Sequence, residues 1–160
     1  LEGRISLDRR LLRLPLLGDL LTKAEVARFG FTLGMLIANG VPLVAALSVA
    51  REALDHPAIS AAVGDVEKQV KEGKPFAGPL SDTGMFPTLA THLVRIGEES
   101  GKLEEMLFRV ADIYDGEVQR ATQRLLTLLV PVLTFVMAVL IGGIIISILM
   151  PMLSISQLAF

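Results

Sequence analysis

The last part of the chain, residues 125–160, contains no Asp, Glu, Lys or Arg, so all 15 Lys and Arg and all 17 Asp and Glu precede it. Its densest part, residues 128–150, reads LLVPVLTFVMAVLIGGIIISILM. At a rise of about 1.5 Å per helical residue, roughly 20 apolar residues cross a hydrocarbon core of about 30 Å. A buried helix of a soluble core is the alternative, but such helices are usually shorter and charged on one side. Only lipid, or a very large core, covers a helix that is apolar all round. Its place after the charged part of the chain is not that of a signal peptide. The stretch is expected to be a membrane anchor.

Orientation follows from the flanks. Arg120 and Arg124 precede the span and no Lys or Arg follows it. Cationic flanks stay on the cytoplasmic side, so the preceding residues are expected in the cytoplasm and Phe160 across the membrane. Pro131 sits early enough to be tolerated, whereas Pro151 is expected to mark where the helix stops. The transmembrane helix is therefore placed at residues 125–153, with a short periplasmic tail at 154–160.

What remains is one modest domain with a single core. The net charge of −2 argues against a general nucleic-acid binder. Without cysteine, disulfides, thiolate zinc sites and cysteine nucleophiles are excluded. The two histidines, His56 and His92, spell out no metal cluster, and no cofactor is implied. Leu1 stands where a complete chain would carry Met, so a piece of a longer protein is expected.

Residues 1–23 form a basic lead-in carrying Arg4, Arg9, Arg10 and Arg13, expected to lie near the membrane surface. Its leucines Leu16, Leu17, Leu20 and Leu21 are expected to pack on the domain that follows. From Ala24 the helical period is clear: Val26, Phe29, Leu33 and Leu36 form one stripe. Asn39-Gly40 should end that helix, and Pro42 fits the first turn of the next, which carries Leu43, Leu47, Ala50 and Leu54. Asp55-His56-Pro57 reads as a boundary, with Asp55 or His56 as the cap. The third helix turns Ile59, Val63, Val66 and Val70 inward and leaves Asp65, Glu67, Lys68 and Lys71 to water. Gly73, Pro75, Gly78, Pro79, Gly84 and Pro87 permit only a short helical turn around residues 76–81. A fifth helix from Pro87 is expected to bury Leu89, Leu93 and Ile96 and to end at Gly97-Glu98-Glu99-Ser100-Gly101. The sixth places Leu103, Leu107, Val110, Tyr114, Val118 and Ala121 on one stripe and can run unbroken into the apolar span. Glu104 and Glu105 fall in its first turn, where the helix dipole favours them. No strand pattern occurs. The fold class is all-α: a small six-helix bundle over residues 24–124, followed by one transmembrane helix.

No catalytic motif is spelled out: there is no P-loop, dinucleotide fingerprint, His-Glu-x-x-His or Gly-x-Ser-x-Gly. His92, Arg95 and Glu99 share a helix face, where a metal site or acid–base pair competes with an ordinary Arg95–Glu99 pair beside an exposed histidine. Glu98 and Glu99 invite a carboxylate-pair reading, yet sequence neighbours point in different directions on a helix. The pair fits better as a partner-docking corner, because a rigid acidic turn is readily read by a basic surface.

A set of spaced motifs carries a resemblance. Ala27-Arg28-Phe29 with Thr32-Leu33-Gly34, Asn39-Gly40-Val41-Pro42-Leu43 and Ala46-Leu47 opens it. Gly73, Phe76, Gly84-Met85-Phe86-Pro87, Gly97-Glu98-Glu99-Ser100-Gly101 with Leu103, and Met106-Leu107 continue it. Ile148-Leu149-Met150-Pro151 closes it. Together they resemble the F-type inner-membrane platform proteins of type II secretion and type IV pilus assembly. The resemblance implies two related cytoplasmic domains and three membrane helices in the parent, a multi-pass inner-membrane protein. Residues 24–124 would be the second domain, and the span the last helix. It further implies a non-enzymatic scaffold, a homo-oligomer coupling a cytoplasmic secretion ATPase and other inner-membrane components to pseudopilins. The motifs are shared by the secretion and pilus branches. A membrane-anchored enzyme fragment remains an alternative, and a channel or transporter is disfavoured by a single span without an embedded charge.

Overall fold

A computed structural model describes residues 15–159. Among these residues there are six helices and no strand. They are α1 (Pro15–Ala38), α2 (Leu43–Glu52), α3 (Pro57–Lys71), α4 (Ala77–Asp82), α5 (Thr88–Ser100) and α6 (Leu103–Leu158). The described residues divide into two units, one up to Gln119 and one from Arg120, and α6 contributes to both.

In the first unit, the stop signals read from the sequence are built as hydrogen bonds. Gly40 adopts φ +86° after α1. Its N–H donates to the Ile37 carbonyl and that of Val41 to the Leu36 carbonyl, both at 3.0 Å. These two bonds satisfy carbonyls that the helix end would otherwise leave open. Gly73 repeats the arrangement after α3, with Lys74 N–H donating to Gln69 O at 3.0 Å. Helix α1 is already helical at Pro15, earlier than the period suggested. Within its opening turns Leu17 and Leu20 are half-buried and Leu21 is exposed. The arginines of the lead-in lie outside the described residues.

The core gathers Val26, Phe29 and Leu33 from α1, Leu47 from α2, Ile59, Val63 and Val66 from α3, and Leu80 from α4. Phe76, Val94 and Leu107 also belong to it, and the Phe29 and Phe86 rings pack at a tilt with centroids 5.3 Å apart. Each such side chain contributes about 1.5–3 kcal/mol on burial. Helix α1 approaches α6 closely through Gly30 and Gly34. A Cβ on Gly30 would stand 3.0 Å from the Leu107 carbonyl oxygen, and one on Gly34 would stand 3.3 Å from Leu107 Cβ.

Two expectations about faces are corrected here. Glu67 is not left to water: it is 6 % exposed, with Lys71 Nζ 3.0 Å from one oxygen and Arg51 Nη1 3.4 Å from the other. Burial of this carboxylate is tolerable because two cations flank it. Helix α5 does not bury Leu89 and Ile96, which are 48 % and 41 % exposed. It buries Ala90, Thr91, Val94 and Gly97 instead. A Cβ on Gly97 would come within 2.9 Å of Met106 Cβ and 3.0 Å of Leu103 Cα, so only the small-residue face fits against α6.

The second unit is the continuation of α6. The most apolar 18-residue window of this helix has a mean hydropathy of 2.8, and none of it is covered. It is long and apolar enough to cross a membrane. Three of its hydroxyls are satisfied within the helix. Thr127, Thr134 and Ser147 each donate to the carbonyl four residues earlier, at 2.8, 2.9 and 2.8 Å. Pro131 lies inside the helix, as expected. Pro151 also lies inside it, and the helix runs on to Leu158. A proline removes one ladder bond and crowds one carbonyl, which kinks a helix more readily than it ends one when both flanks are helix formers.

Candidate docking site

The Glu98–Glu99 corner forms as the glycines required. Helix α5 ends at Ser100, Gly101 takes φ +72°, and Lys102 N–H donates to the Gly97 carbonyl at 2.9 Å. The two carboxylates then part. Glu98 is half-buried, and its Oε2 accepts the Phe76 N–H while its Oε1 accepts the Ala77 N–H at 3.3 Å. Those amides open α4, which has no side-chain cap of its own. A carboxylate at a helix N-terminus both fills orphan donors and meets the positive end of the dipole.

Glu99 is exposed, as are His92 and Arg95. Among the described residues Arg95 and Glu99 form no ion pair with each other. With Pro75, Gly78 and the Glu98 carboxylate they line a shallow depression of about 430 Å³. On the same helix Leu89 and Ile96 are exposed, while Leu93 between them is half-buried against the core. Among the described residues no three His, Asp or Glu converge to hold a metal ion.

Glu25 does for α3 what Glu98 does for α4. It is 6 % exposed, and its Oε2 accepts the backbone N–H groups of Asp55 and His56 at 2.9 and 3.2 Å. Neither Asp55 nor His56 caps α3 with its own side chain, so the cap expected there is supplied from α1. The Asp55 carboxylate instead accepts from Arg28, whose Nη1 also stands 3.5 Å from Glu25 Oε1. That hydrogen bond to Asp55 raises the Arg28 pKa above its ordinary value. Glu25 escaped the sequence reading because its position beside Val26 gave no sign of a distant helix start. For Glu98 the cue was the absence of a capping Ser, Thr or Asn before Ala77.

Comparison with known proteins covers the bundle and the span together. The family model described as type II secretion system (T2SS), protein F, matches residues 31–151. A type IV pilus assembly protein PilC of Myxococcus xanthus is 36% identical over 155 residues, 97% of this chain and 37% of its own length. The PilC of Pseudomonas aeruginosa is 39% identical over 148 residues, 92% of this chain and 40% of its own length. The type II secretion system protein F of Xanthomonas campestris pv. campestris is 39% identical over 149 residues, 93% of this chain and 37% of its own length. The chain thus spans about two fifths of the length of these relatives.

Proposed function

The chain belongs to the type II secretion system protein F family, and we propose from that premise that it is part of a non-enzymatic inner-membrane platform. The platform couples a cytoplasmic secretion ATPase to pseudopilus assembly. The observation that carries this reading is the family match over residues 31–151, which includes both the helical unit and the apolar part of α6. In this reading the helical unit is cytoplasmic, the apolar half of α6 crosses the inner membrane, and Arg120 and Arg124 mark its cytoplasmic end. The transmembrane segment occupies residues 125–153, residues 154–160 are periplasmic, and the basic residues 1–23 lie against the membrane surface. The parent protein is multi-pass and homo-oligomeric. It uses no cofactor or nucleic acid, and its partners are pseudopilins and the other inner-membrane components.

The acidic corner is a partner contact in which the two carboxylates divide the work. Glu98 holds the start of α4 and so shapes the depression. Glu99 presents its charge to a basic partner surface.

A second reading, the same role in type IV pilus assembly, has equal support, because the pilus relatives at 36% and 39% identity match as well as the secretion relative at 39%. Deleting the parent gene in its source bacterium, and restoring it, separates them. The proposal expects loss of protein export with surface pili intact. Loss of pili with export intact moves the role to pilus assembly. If export and pili both survive, the platform reading fails.

A further inference from the structure

We propose that the groove between α1 and α6 is a docking site for a cationic amphipathic helix of a partner protein, which deepens the platform reading by naming the chemistry of one of its contacts. The groove has a volume of about 450 Å³. Its floor is made of small side chains, Ala24 and Ala27 from α1 and Ala111 from α6. Along α1 the lining residues run from Ala24 to Phe31 and along α6 from Ala111 to Val118, so each wall extends about 10 Å, or two helical turns. A trough of that length between two helices, with alanines at its base, accepts the side-chain ridge of a third helix.

Phe31 supplies the apolar contact at one end. It is 53 % exposed, and its ring packs edge-to-face with that of Phe108, with centroids 6.1 Å apart. A large aromatic left this open beside a groove is the kind of group that anchors a partner side chain.

Charge decides which helix fits. Among the described residues Arg28 is the only cation lining the groove, and Glu25 and Asp55 already compensate it. Lys23, the nearest other cation on α1, is held by Asp19 at 3.1 Å and Glu117 at 2.9 Å. Asp112 and Asp115 also line the groove. Among the described residues Asp112 forms no ion pair, even with Arg109 one turn away, and Asp115 accepts only from Gln119 Nε2, at 3.1 Å. Two uncompensated carboxylates one turn apart match Lys or Arg side chains one turn apart on an incoming helix. They repel an acidic helix and anionic lipid headgroups alike.

The test uses the full chain in nanodiscs of zwitterionic lipid. The probe is a fluorescent Ala-rich peptide of about 18 residues, long enough to hold a helix. It carries Leu at i, i+3 and i+7, with two Arg one turn apart beside that stripe. Anisotropy is read against empty nanodiscs. The proposal expects binding that weakens about tenfold or more in Asp112→Asn/Asp115→Asn. It expects a comparable loss in Phe31→Ser, and no binding by the peptide with Glu in place of Arg. Unchanged circular dichroism shows that the variants remain folded. Equal binding to wild type and both variants, equal binding of the acidic peptide, or no binding above empty nanodiscs overturns it. Self-association of the chain that disappears in Asp112→Asn/Asp115→Asn without peptide binding assigns the groove to a second copy and also overturns it. None of these readouts measures export, so a failure here leaves the platform reading to its own test.

Discussion

Glu98 and Glu99 are chemically identical neighbours with different fates, because one helical step turns one carboxylate toward the α4 amides and the other toward water. Replacing Glu98 with Ala strands the Phe76 and Ala77 N–H groups, which is expected to cost about 1–3 kcal/mol. Glu99→Lys should stay within about 0.5 kcal/mol. Chemical denaturation followed by circular dichroism checks both, and equal losses would mean that the two residues share one role. Glycines divide in the same way. Gly40→Val is expected to destabilise by about 1 kcal/mol or more through its backbone, since φ is +86° although the space around it is open. Gly97→Ala should destabilise through collision with Met106. At this scale the sequence was legible where residue type and position agreed, as at Gly40 and Gly101. It misled where they disagreed. Glu67 lies eight residues after Ile59, a core position by helical period, but its charge suggested water.

Helix α5 shows the same tension across a whole element. Leu89, Leu93 and Ile96 form a stripe with i, i+4, i+7 spacing, and so do Ala90, Val94 and Gly97. Size favours the first stripe in a sequence, whereas closeness to α6 favours the second in the fold. That closeness depends on a partner helix the local pattern does not contain. Accordingly, Leu89→Ser and Ile96→Ser should leave denaturation nearly unchanged, whereas Val94→Ala should cost about 2 kcal/mol. A loss on the outer face as large as that at Val94 would contradict the observed packing. Between α1 and α6 a charged tether adds a pH dependence. Lys23 is raised above its ordinary 10.5 by hydrogen bonds to Glu117 and then Asp19. Its contribution is complete below that value and is lost as pH rises through the raised one. Burial raises the Tyr114 phenol above 10.0, so the unfolded chain releases that proton first and the effect has the same sign. Stability should therefore fall above about pH 10, less steeply in Lys23→Met and in Tyr114→Phe. A fall of the same steepness in both variants would remove these two groups as its cause.

At the scale of the molecule, the apolar stretch was the most legible feature, because an uncharged run of such length has few places to go. The helical identity of the other described residues was equally plain from their period and their glycine stops. The end of α6 was less so, since Pro151 reads as a stop in isolation but is carried within a long helix. The central claim is that a helical unit which folds on its own core is tethered to a membrane by the far half of α6. Membrane fractionation with an alkaline wash tests it, comparing the full chain with a chain ended at Gln119. The account predicts that the full chain stays with the membrane and leaves it only in detergent, while the shortened chain is soluble and helical by circular dichroism. A full chain recovered as a monomer in detergent-free buffer would contradict it.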